Sequence, residues 1–143
     1  MKFRIRKRDF SVAIGDIQVI STGGKEFGPK WDRVRCKVTA GKLTLSGGRD
    51  DLPVVRTFSV FTPNTPLSPE MENGECCFII GTLSTRLEVG VRDETKITVV
   101  YTPGSSVVVL EFDGEKVSRS AYSMAEKDWA NSENQEVQVS KTA

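Results

Sequence analysis

The stretch MKFRIRKRDFSVAIGDIQVIS, residues 1–21, changes its hydrophobic period within the first ten positions. Phe3 and Ile5 alternate with Lys2, Arg4 and Arg6, the two-residue period of a strand with one buried face and a basic outer side. From Asp9, placed to cap a helix, Phe10, Ala13, Ile14, Ile17 and Ile20 recur at spacings of three and four and form one apolar stripe. Thr22-Gly23-Gly24 supplies the stop. The opening unit is therefore a strand that feeds an amphipathic helix.

The following residues extend that unit. Beyond the loop that holds Pro29, the segment from Val34 to Val38 alternates, Ala40-Gly41 makes a turn, and Leu43-Thr44-Leu45 alternates again. Gly47-Gly48-Arg49-Asp50-Asp51 reads as a second turn, and Val54 to Val60 completes a three-stranded meander. Residues 61–74 carry Pro63, Pro66 and Pro69 and read as a crossing loop between two halves. Residues 75–83 are ambiguous: β-branched and aromatic enough for a strand, yet preceded by Asn73 as a candidate helix cap. On local grounds the strand is favoured. Residues 87–91, 96–101 and 107–112 read as three more strands with turns at 92–95 and 102–105, so that the second half repeats the meander of the first.

From Val117 the chain is rich in Ser, Glu, Lys, Asn and Gln, a tail composition. The expected organisation is one domain at residues 1–116 and a polar tail or linker at 117–143. Ser123-Met124-Ala125-Glu126 is placed to open a short helix. Glu136-Val137-Gln138-Val139 forms a strand only where a neighbouring sheet edge accepts it.

Bulk properties restrict the chemistry. At 143 residues one domain can bury a real core without staples. Twenty Lys and Arg against nineteen Asp and Glu leave a net charge of +1, so any affinity for nucleic acid must come from where charge is placed. The chain has no histidine, which removes the commonest general base, the usual zinc ligand and every Ser-His or Cys-His arrangement. Neither GxGxxG nor the phosphate-loop pattern is present, and Gly23-Gly24-Lys25 and Gly47-Gly48-Arg49 are only fragments of them. No catalytic site, metal site or cofactor is expected. Three cysteines, two of them the adjacent Cys76 and Cys77, suit burial in a reducing cytoplasm better than a disulfide framework. No apolar run approaches the roughly 18 to 20 residues that cross a bilayer, so no membrane partner is expected.

These residues together resemble the bacterial DNA sliding clamp, the beta subunit of the replicative polymerase, and most closely the first of its three domains. The opening Met1-Lys2-Phe3, the helix near Asp9, Gly23-Gly24-Lys25, Pro29 and the run Ala40-Gly41-Lys42-Leu43-Thr44-Leu45-Ser46-Gly47 carry the likeness over residues 1–112. It implies an α+β processivity fold of two β-α-β-β-β halves, with two helices on one face of antiparallel sheets. It also implies a helix at Phe78 to Thr85, against the local reading. Arg49 departs from the family pattern, in which an Asp stands at that place. The alternative is a pleckstrin-homology-like β-barrel with a C-terminal helix, suggested by Lys30-Trp31-Asp32-Arg33-Val34 and Gly41-Lys42-Leu43, which would bind a lipid headgroup or a peptide.

The resemblance implies a non-catalytic processivity factor or docking platform on double-stranded DNA. Its partners would be further copies of the chain in a ring of about six, since closed symmetry is how one interface makes a finite ring, and a DNA polymerase or other replication protein. A clamp mimic that binds replication proteins without DNA shares the fold. The family's helices line the hole, which makes Lys7, Arg8, Lys25 and Arg86 the candidate phosphate contacts. The plain alternative for each is a solvated surface charge. Lys2, Arg4 and Arg6 read as the soluble outer side of a sheet. Trp31 is either partial core or a stacking site. Asp128-Trp129 resembles the family's linker between its first two domains, so Trp129, Val137 and Val139 are candidate interface residues reaching a neighbouring copy.

Overall fold

The period change at the start is a direct junction of strand and helix. In the computed structural model, which describes residues 1–22, 33–88 and 92–124, β1 (Lys2–Arg6) passes into α1 (Lys7–Thr22) with no intervening loop. Asp9 is therefore inside the first turn rather than at the cap. The orphan donors of that turn are met from another element: the Lys7 N–H donates to the Thr95 carbonyl at 2.7 Å and the Arg8 N–H to that of Asp93 at 3.1 Å. Asp9 instead accepts from Arg6 Nε at 2.5 Å, and its carboxylate holds the Arg6 guanidinium above its ordinary pKa.

After α1 come β2 (Arg33–Thr39), β3 (Lys42–Arg49) and β4 (Leu52–Ser59). The β2–β3 turn needs left-handed backbone at both central residues, and Ala40 (φ 49°) and Gly41 (φ 77°) supply it. The second half repeats the order with β5 (Gly74–Ile79), α2 (Ile80–Glu88), β6 (Lys96–Val100), β7 (Val107–Phe112) and β8 (Arg119–Met124). Both readings of residues 75–83 are partly realised, as strand to Ile79 and helix from Ile80. The strand expected at 87–91 is not formed at Leu87 and Glu88, which end α2; residues 89–91 lie outside the described set. The third strand of the second meander is β8, in the stretch read as tail. Its small polar residues hid it, and pairing with β7 and β5 makes it a strand.

The sheet order is β1-β6-β7-β8-β5-β2-β3-β4, antiparallel throughout. Each half gives its leading strand to the other half's meander: β1 pairs with β6, and β5 with β2. Neither half can therefore complete its sheet alone. The halves also meet at a short β5–β8 seam, Cys77 to Met124 and Phe78 to Ser123.

The curled sheet wraps one core in which Phe3, Ile5, Phe10, Ile17, Leu43, Leu45, Phe78, Leu83 and Ile97 have no exposed surface. Phe3 and Phe10 meet edge to face at 5.6 Å, which locks β1 to α1. Arg4 reaches Asp113 at 2.5 Å, so the basic side of β1 is partly neutralised. Burial pushes the Cys76 thiol up to about 12 and also raises Cys77 and Cys36. The three cysteines are structural, as their composition suggested. The β-barrel alternative is replaced, because a 16-residue helix stands between the first two strands and a second helix between the fifth and sixth.

Candidate nucleic-acid and assembly faces

The two helices lie side by side on the sheet. The Ser84 hydroxyl of α2 donates to Gln18 Oε1 of α1 at 3.0 Å. Since Phe10, Ala13, Ile14 and Ile17 point into the core, the outward stripe of α1 is Arg8, Val12, Gly15 and Val19. Val12 and Val19 are 57% and 68% exposed. The side that would face phosphates on a clamp-type fold is thus mainly small and apolar, with one arginine at its N-terminal end.

The residues singled out from sequence fare differently. Lys7 has a side chain only 14% exposed, paired with Asp93 at 3.4 Å beside the loop that caps α1. Arg86 donates from Nε to the Ser120 carbonyl at 3.1 Å, and its own carbonyl accepts from Arg119 Nη1 at 2.8 Å, so it clasps α2 to β8. Arg8 is exposed at the open end of the stripe. Lys25, Trp31, Trp129, Val137 and Val139 lie outside the described residues. Glu75 stands on β5 and pairs with Arg35 at 3.1 Å.

Sequence reading overlooked a groove of 540 Å³ beside this stripe, where Arg8, Val12, Ala13 and Asp16 of α1 face Arg56 and Phe58 of β4. Arg56 crosses it to Asp16 at 3.2 Å. The signal was available: Val12 and Val19 are seven apart and sit off the Phe10-Ile14-Ile17 stripe, so a fully polar outer face was never possible.

The two ends of the sheet also differ. Along β1 the crossing loop is bound through Leu67, Ser68 and Glu72: the Ser68 N–H donates to the Arg4 carbonyl at 2.9 Å, and Lys2 and Glu72 exchange backbone bonds at 3.1 and 2.8 Å. Leu67 is buried by this contact. At the other end, β4 pairs among the described residues only with β3. Among the described residues no group of histidine, cysteine or carboxylate side chains is arranged to hold a metal, and no helix is long and apolar enough to cross a membrane.

No family model and no curated protein matches the sequence. Solved structures do match the fold. The DNA polymerase III subunit beta of Pseudomonas aeruginosa superposes with a TM-score of 0.69 at 13% identity, over 90% of this chain and 31% of that one. The DnaN sliding clamp of Bartonella birtlesii bound to griselimycin gives 0.68 at 15% identity over the same shares. The Helicobacter pylori beta clamp bound to a DNA ligase peptide gives 0.67 at 13%, over 90% and 32%. The chain has the fold of one sliding-clamp domain and spans about a third of the length of these clamps.

Proposed function

We propose that this chain is a non-catalytic clamp-type module that assembles with further copies of itself and acts as a processivity or docking platform on DNA. The observation that carries this reading is the duplicated β-α-β-β-β architecture with both helices on one face, combined with a sheet edge at β4 that no described residue pairs with. A fold of this kind provides a rigid curved plate, and extension through an edge strand is the natural way to lengthen it. Arg8 is the described residue best placed to meet phosphate. Lys7 and Arg86 act in folding the domain. Polymerase- or ligase-type proteins are the expected partners, because the matched Helicobacter pylori clamp carries a DNA ligase peptide.

The exposed Val12 and Val19 favour a second reading, a clamp mimic whose helix face meets a replication protein instead of DNA. Native mass and salt-dependent DNA binding distinguish the two. An oligomer whose DNA affinity falls steeply with salt supports the platform. An oligomer or monomer with no DNA affinity at low salt overturns the DNA part and leaves the mimic.

A further inference from the structure

We infer that the open edge of β4 pairs with β4 of a second copy, antiparallel about a two-fold axis through Thr57. The inference rests on the self-assembly reading above and names the partner of that edge. The β3–β4 ladder fixes which backbone groups of β4 are left unused by β3. Val60 N–H donates to the Gly41 carbonyl at 3.0 Å, and bonded pairs alternate along an antiparallel ladder. Phe58, Arg56 and Val54 therefore bond inward to β3, while the N–H and C=O groups of Val55, Thr57 and Ser59 point away from it; the Ser59 carbonyl accepts from the Thr62 N–H at 3.3 Å and has its second lone pair left for a partner strand. The Val55 carbonyl accepts from Arg56 Nη1 at 3.0 Å, as expected for an oxygen that β3 does not use.

Among the described residues, only one end of the sheet is uncovered. The crossing loop occupies β1, and at β8 the Tyr122 N–H donates to Thr82 Oγ1 at 3.2 Å while the Ser120 carbonyl takes Arg86. A single open edge matches itself, which is the requirement of an isologous two-fold contact. Three of the seven large apolar side chains exposed among the described residues, Leu52, Val55 and Phe61, lie on or just after this strand.

Register follows from two residues. Pro53 has no N–H, so a pairing centred on Val55, which sets Pro53 against Thr57, loses donors. One centred on Arg56 sets that arginine directly opposite its copy, and like charges in this position repel. Centring on Thr57 pairs Val55 with Ser59 of the second copy and Thr57 with its equivalent. Every outward N–H is then used, Arg56 stands opposite Phe58, and the exposed Phe61 comes to Pro53. The two-fold runs normal to the sheet, so both α1 helices lie on the same side of the joined plate.

The test uses the full chain. Thr57→Cys places two thiols about 5.5 Å apart at Cα on the axis, within disulfide reach, whereas Cys36, Cys76 and Cys77 are buried. Mild oxidation should convert most of Thr57→Cys to a covalent dimer and leave the parent protein unlinked. Thr57→Lys, at an exposed site that leaves the β3 ladder intact, should shift the native mass from dimer or higher to half that unit with an unchanged circular dichroism spectrum. An oligomer that ignores Thr57→Lys and does not cross-link overturns the β4 pairing and leaves self-assembly standing. A parent protein that stays monomeric at all concentrations overturns both.

Discussion

Gly47 of β3 and Ile17 of α1 touch so closely that no side chain fits between them. A Cβ at position 47 would stand 2.6 Å from Ile17 Cγ2 and 3.0 Å from the Arg33 carbonyl oxygen. This contact sets how deeply α1 sinks into the sheet. Gly47→Ala should destabilise the domain by about 1–3 kcal/mol, the usual cost of overpacking, read as a lower midpoint in urea. Ile17→Ala alone should cost about 2–5 kcal/mol. The double variant should be more stable than the sum predicts, because the two changes relieve one clash.

Lys7 and Arg86 are expected to behave as structural residues and Arg8 as a contact. Arg8→Ala should leave the unfolding midpoint unchanged within about 0.5 kcal/mol and reduce the slope of log affinity for DNA against log salt by about 1. Lys7→Ala and Arg86→Ala should leave that slope unchanged. Lys7→Ala should cost less than about 1 kcal/mol, given the exposed Asp93 it pairs with.

Much of this geometry was legible in residues 1–60, where each element carries its own period and its own stop. The second half was harder. Residues 75–83 switch from strand to helix at Ile80 without a cap or breaker between them, so one apolar run served two elements. Arg119 to Met124 offers no alternation of its own. It becomes a strand because β7 and β5 present free edges to it, and such long-range pairing is invisible to local pattern. The partners of two candidate cations were hidden for a related reason: Asp93 and the Ser120 carbonyl lie far from Lys7 and Arg86 in sequence and reach them only through the fold.

The buried thiols give a pH dependence. Their pKa values are raised in the folded chain, Cys76 from 9.0 to about 12, so below pH 9 both states keep the proton and stability is unaffected. Between about pH 9 and 12 the unfolded chain ionises first, and stability falls by up to about 1.4 kcal/mol per pH unit for each such thiol. Urea midpoints should drop between pH 8 and pH 10, and drop less in Cys76→Ala. At pH 8 a thiol reagent should label the native protein far more slowly than the unfolded chain.

The outer stripe of α1 tests which side meets DNA. Val12→Lys with Val19→Lys replaces two exposed apolar side chains, so folding should change by no more than about 0.5 kcal/mol per site. If the helix face lines a DNA path, affinity should rise and the salt slope should steepen by about 2. Unchanged affinity would place DNA elsewhere.

The central claim, a self-assembling clamp-type platform on DNA, is tested most directly by one comparison. The full chain is passed over a sizing column with plasmid DNA at low and at raised salt. Co-elution with the DNA at low salt that is lost as salt rises, by a protein whose own native mass is a multiple of the chain's, is the predicted result. A protein that stays monomeric, or that elutes apart from the DNA at low salt, would contradict it.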